Sequence, residues 1–89
     1  MKFEDYVIDM YGNKFWYNER GHYHREDDLP AVEWKNGTKV WYKNGLRHRE
    51  NGLPAIVYVT GTTVWYDENE VRYRIDEWID QDKAWYYEI

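Results

Sequence analysis

The stretch GTKVWYKNGLRHRENGLPAIVYVTGTTVWYDEN, residues 37–69, states its pattern twice. Gly37-Thr38-Lys39-Val40-Trp41-Tyr42 comes back as Gly61-Thr62-Thr63-Val64-Trp65-Tyr66. Trp-Tyr also stands at 16–17 and 85–86, within NKFWY and DKAWY. Glycine precedes the first three of these Trp by four residues, at Gly12, Gly37 and Gly61. Leu-Pro-Ala occurs at 29–31 and 53–55. HRED at 24–27 returns as HREN at 48–51, and RYRID at 72–76 is a weaker third copy. The period is 24 or 25 residues, and the last unit is shortened to 20 residues between Trp65 and Trp85. Repetition at such a period marks an array of small supersecondary units. They run at about 5–28, 29–52 and 53–75, with a truncated capping unit at 76–89, within one domain spanning 1–89.

Each unit reads as β structure. Asn36-Gly37 is a hairpin signal, and a two-residue type I′ loop there would need positive φ at both residues. Thr60-Gly61 and Tyr11-Gly12 hold the same place, while Asn44-Gly45 and Asn51-Gly52 mark further tight turns. The runs between are rich in Val, Ile, Tyr, Trp and Thr, which suit strands. Each unit is then a hairpin plus a short third strand, LRHR in the clearest copy. Pro30 and Pro54 stand at strand openings, where a missing N–H costs least. A two-residue loop at Asn36-Gly37 would set Val32 against Trp41 and Glu33 against Val40. The next unit would set Ile56 against Trp65 and Val57 against Val64. One face would carry a Trp ladder as the main core. The other would carry Ala31, Val40, Tyr42, Ala55, Val57, Val59, Val64 and Tyr66 as an apolar patch. The end, VRYRIDEWIDQDKAWYYEI, reads as a closing hairpin turning near Gln81-Asp82, with a short helix at 76–82 as the alternative. The expected fold is an all-β meander of antiparallel hairpin repeats.

Composition narrows the function. The 6 Trp and 10 Tyr among 89 residues supply the large side chains a small core needs. Cys is absent, which excludes disulfides and thiolate metal sites. Acids in MKFEDYVIDMYG argue against a signal peptide, and no apolar run reaches membrane-span length, so a cytoplasmic protein is expected. The net charge is −5. Residues 1–66 balance nine Lys/Arg against nine Asp/Glu, whereas 67–89 hold three against eight. Nucleic acid is a poor partner for such a chain, since phosphate binding needs clustered uncompensated cations.

The block Trp41-Tyr42-Lys43-Asn44-Gly45, His48-Arg49 and Gly52-Leu53-Pro54-Ala55 resembles a MORN-like β-hairpin repeat variant. Trp16-Tyr17-Asn18, His24-Arg25 and Leu29-Pro30-Ala31 match the pattern in part. The likeness is nearest to antitoxin-type repeats with WY-x-N-G blocks, and is similar to uncharacterised repeat proteins of phages and large DNA viruses. It covers most of residues 12–75. The resemblance implies a hairpin array used as a binding module with no fixed activity. It further implies a phage or mobile-element accessory protein that docks on a host, defence or toxin protein and blocks it.

The candidate site residues follow from the repeat. His24-Arg25-Glu26 and His48-Arg49-Glu50, with Tyr73-Arg74 as a third rung, would line Arg25, Arg49 and Arg74 along one edge roughly 10 Å apart. Such a comb can grip carboxylates or phosphates. Equally, it can build the fold, with Arg paired to Glu and His bonded to a loop carbonyl. Tyr42, Val57 and Tyr66 would face a partner or a second copy of the chain, since soluble monomers seldom leave a large apolar patch in water. His22, His24 and His48 lack a complete ligand set, so no metal and no cofactor are expected. The paired carboxylates at 26–28, 67–68 and 76–77 sit at turns without a cleft, and no nucleophile or phosphate-loop motif is present, so an enzyme is not expected. The alternatives are single-stranded nucleic-acid binding through Tyr/Arg ladders and a self-associating structural module.

Overall fold

A computed structural model of the chain describes residues 6–77, and these hold nine short strands and no helix. In order they are β1 (Tyr6–Ile8), β2 (Lys14–Trp16), β3 (Val32–Glu33), β4 (Lys39–Val40) and β5 (Tyr42–Lys43), then β6 (Leu46–Arg47), β7 (Ile56–Val57), β8 (Thr63–Tyr66) and β9 (Arg72–Asp76). Seven form one antiparallel sheet ordered β1-β2-β3-β4-β7-β8-β9, and β5 pairs with β6 in a hairpin of its own. The fold is the all-β hairpin meander that the repeats imply.

The hairpin register differs from expectation by one residue. Trp34 N–H donates to the Thr38 carbonyl at 2.9 Å, and Gly37 N–H donates to the Trp34 carbonyl at 2.9 Å. The loop is therefore Lys35-Asn36-Gly37, a type I turn closed by a left-handed glycine at φ 101°. Asn36 has no positive φ, so the two-residue turn is ruled out. The loops at 9–13 and 58–62 close in the same way. The longer loop sets Val32 opposite Val40 and Glu33 opposite Lys39. It sets Ile56 opposite Val64 and Val57 opposite Thr63. A one-residue slip moves one strand's side chains to the other face. Val57 and Tyr66 therefore do not share a face, and Val32 and Ile56 do not lie against the Trp rings.

Two cores result. One face carries a row with one residue per strand: Val7, Phe15, Val32, Val40, Ile56, Val64 and Ile75. Val32, Val40, Ile56 and Val64 form its buried centre, with Phe15, Tyr23, Tyr42 and Tyr66 packed against them. Trp16, Trp41 and Trp65, each next in sequence to a member of that row, are buried on the opposite face. Trp16 N–H donates to the Ala31 carbonyl and Trp41 N–H to the Ala55 carbonyl. Ala31 and Ala55, both 0% exposed, fill the space between rings. The expected Trp ladder exists, but it is one core of two.

The tight turns follow their residues. Asn44 and Gly45 both have positive φ and join β5 to β6 by a two-residue loop, where a tight turn is expected. Asn51-Gly52 is also left-handed, and Asp27-Asp28 occupies the same place in the preceding unit at φ 64° and 56°. L-residues hold that conformation at a cost that glycine avoids. Asp27 is exposed, so Asp27→Gly is expected to stabilise the protein by about 0.5 kcal/mol, read as a higher urea midpoint with unchanged slope.

Successive units are stapled at their loops. Asn13 Oδ1 accepts from Lys35 N–H at 2.7 Å, and Thr38 Oγ1 accepts from Val59 N–H at 3.1 Å. A Cβ at Gly12 would lie 3.5 Å from Lys35 Cδ, and one at Gly37 would lie 3.5 Å from Val59 Cγ2. Each glycine thus seats the next unit's side chain. At the other end, Asp76 belongs to β9 and is no helix cap. The turn near Gln81-Asp82, the rest of the 76–82 helix alternative and Trp85-Tyr86 lie outside the described residues.

Candidate functional site

The arginine comb lies on the tryptophans. Arg25 stacks over Trp16 at 3.7 Å, Arg49 over Trp41 at 3.8 Å and Arg74 over Trp65 at 4.4 Å from ring centroid to guanidinium carbon. The repeat requires this. His24 N–H and His48 N–H donate to the carbonyls of Trp16 and Trp41, so the next residue falls beside the ring. Arg25 and Arg49 then donate to the Pro30 and Pro54 carbonyls, at the start of Pro-Ala. Trp41 Nε1 donates to the Asp28 carbonyl and Trp65 Nε1 to the Gly52 carbonyl, both at 2.9 Å and both thirteen residues earlier. Trp16 Nε1 is buried with no acceptor among the described residues; the corresponding position is residue 3, which lies outside them.

Acids complete the comb. Arg25 reaches Glu33 at 3.1 Å, Arg74 reaches Asp76 at 2.7 Å, and Arg49 grips both carboxylate oxygens of Asp28 at 2.9 and 3.1 Å. That hydrogen bonding holds the Asp28 carboxyl below the usual carboxylate range, against a smaller opposing effect of desolvation. A lowered folded-state pKa means stability present above the unfolded value, about 3.9, and lost as pH falls through the folded value. Asp28→Asn is therefore expected to flatten part of the stability loss below about pH 4. Urea midpoints across pH 2–6 test this, and parallel acid limbs would show that Asp28 contributes nothing to it.

The histidines are held differently. His24 Nδ1 accepts from Asn44 N–H at 3.1 Å, which places its proton on Nε2, facing Glu26. His48 Nδ1 donates to the Tyr66 carbonyl at 3.0 Å, with Nε2 3.5 Å from Glu50. Glu50 also pairs with Lys43. Among the described residues no three His, Asp or Glu side chains are grouped to hold a metal ion. Tyr23 packs against Tyr42 at 4.9 Å, and Arg47 lies 4.5 Å over Tyr66 while binding Glu70. Burial pushes the Tyr42 phenol up. Tyr42 and Tyr66 are half-buried on the aliphatic row, and Val57 is half-buried on the face beyond. Contacts within the chain account for Arg25, Arg49 and Arg74, for His24 and His48, and for Tyr42 and Tyr66.

The exposed rings lie elsewhere. The loops at 9–13, 34–38 and 58–62 leave the sheet on one edge, because Ile8, Lys14, Glu33, Lys39, Val57 and Thr63 pair in one row beneath them. Trp34 and Tyr58 open two of these loops and are 41% and 42% exposed. Met10, Tyr11 and Val59 are exposed beside them. Extending the register by one residue places Thr38 between Trp34 and Tyr58, and Thr38 is buried. Two rings thus flank a closed floor, on strands separated by β4 and so roughly 10 Å apart. Phe15 meets Trp34 edge-on at 5.7 Å. Beside Trp34 an open depression of about 470 Å³ is lined by Asn13, Lys35 and Asn36 as well.

Reasoning from sequence missed Trp34, Tyr58 and Lys35. A signal was present: hairpin loops favour Gly, Asn, Asp and Ser, so a large ring opening one is out of place. No protein-family model, curated protein or solved structure matches the chain.

Proposed function

We propose that this chain is a non-catalytic module that docks on another protein and blocks it, as its likeness to antitoxin-type and phage repeats implies. The observation that supports this reading is the loop edge. Large rings are held in water there on a scaffold stapled unit to unit, and exposed aromatics of this kind make the strongest contacts of protein interfaces. A stapled edge loses little conformational freedom on binding. The depression at Trp34 is open and brings together no acid–base pair or nucleophile. Nucleic-acid binding draws less support, because Arg25, Arg49 and Arg74 lie on indole rings and pair with acids.

The test is affinity capture from a lysate of the source cell, followed by assay of whatever is captured. One protein in stoichiometric amount, with its activity suppressed, is the expected result. Recovery of nucleic acid in its place would favour the other reading, and recovery of neither would remove this one.

A further inference from the structure

We infer that the loop edge binds an extended acidic segment of the partner, with one apolar side chain seated between Trp34 and Tyr58 and a carboxylate on Lys35. The inference rests on the protein-binding reading above and names the seat and the chemistry it would take.

The seat is built from the repeat. Trp34 and Tyr58 stand at one position of successive units, each donating N–H to the carbonyl four residues on and accepting from the glycine N–H three residues on. Thr38 closes the floor between them, and its hydroxyl is already engaged by Val59 N–H. With that oxygen engaged and Thr38 only 5% exposed, the floor presents little polar surface. An aliphatic side chain fits such a slot, whereas a polar one would lose water there without a partner.

Charge selects the acid. The loop edge, residues 9–14, 33–39 and 57–63, carries Lys14, Lys35 and Lys39 against Asp9 and Glu33. The other described residues carry seven Lys/Arg against ten Asp/Glu. The loop edge is thus net positive on an acidic protein, and because the register turns Lys14 and Lys39 to the face opposite Trp34, Lys35 is the cation beside the seat. Lys14, Lys35 and Lys39 form no ion pair among the described residues, unlike Arg25, Arg47, Arg49 and Arg74. Lys35 lines the depression beside Trp34, its stem lying over Gly12. Lys35 is exposed, so its ammonium is open to a carboxylate beside Trp34. Three lysines offset by two acids are too few for a phosphate backbone, which favours a protein segment over a single-stranded nucleic acid.

The experiment uses the full chain and a display library of random dodecapeptides. Panning on the wild type is expected to enrich peptides with an aliphatic residue flanked by Asp or Glu. Trp34→Ser with Tyr58→Ser is expected to weaken the enriched peptides at least about 30-fold, and Lys35→Glu about 10-fold. Lys35 is exposed and its staple uses the backbone, so Lys35→Glu keeps the test sound if the double variant folds poorly. Enrichment without acidic bias, no enrichment, unchanged affinity in these variants, or stronger binding of a dT oligonucleotide would overturn the assignment. If a protein captured from lysate still binds the double variant and Lys35→Glu, the binding reading stands and the loop-edge assignment falls.

Discussion

Trp41→Ala is expected to abolish the cooperative unfolding transition at ambient temperature, or to leave a remnant melting more than about 12 °C below the wild type. Trp41 is 9% exposed, seated between Ala31 and Ala55 and covered by Arg49. Removing the ring opens a cavity that two alanines cannot fill. It also orphans the Asp28 carbonyl that accepts the indole N–H. Truncations of this kind cost about 3–5 kcal/mol, a large part of the 5–15 kcal/mol available to a small domain. Circular dichroism during a thermal scan reads the result. Trp41→Phe should fall between, since it keeps a six-membered ring against the alanines but loses the second ring and its N–H donor. A wild-type melting temperature for Trp41→Ala would show that the Trp ladder is not a core.

The second large effect is expected at Arg49→Glu, at about 2–4 kcal/mol. Three losses combine there. The cation leaves the Trp41 ring, the Pro54 carbonyl loses a donor, and the Asp28 carboxylate meets a like charge. The Arg49 side chain is only 17% exposed, whereas Asp28 is 50% exposed, so the ring and carbonyl contacts carry more of the loss than the repulsion. Asp28→Asn in the same background should recover part of the loss, because it removes the repulsion alone. Urea denaturation of the three proteins tests this. Wild-type stability in Arg49→Glu would release the comb from its structural role and return it to solvent and to a partner.

Much of the fold was legible because the repeat is spelled in residues with few uses. Gly12, Gly37 and Gly61 mark loops, and Trp16, Trp41 and Trp65 mark buried positions. Asn44-Gly45 marks a tight turn, since both residues tolerate positive φ. The register was not legible. Asn36-Gly37 looks the same as Asn44-Gly45, yet only Gly37 turns left-handed, and one extra loop residue exchanges the faces. The comb was legible as a repeat but ambiguous in role, because stacking on Trp depends on which strand the arginine falls beside. The loop edge was least legible. Trp34 and Tyr58 look like strand interior until the loop length is known, and their exposure follows from that length.

The strand order also bears on how the chain comes to be folded. Consecutive strands of the seven-stranded sheet are its neighbours, with β5 and β6 set aside as a hairpin in passing. Among the described residues no sheet pairing waits for a distant part of the chain, so the entropy of closing long loops scarcely enters the folding barrier. A chain of this kind can lay down one hairpin on the last, like courses of masonry, and can do so while still being synthesised. Each pause leaves an open strand edge, and the unit that follows covers it. The interval between units therefore sets how long a half-built sheet remains sticky.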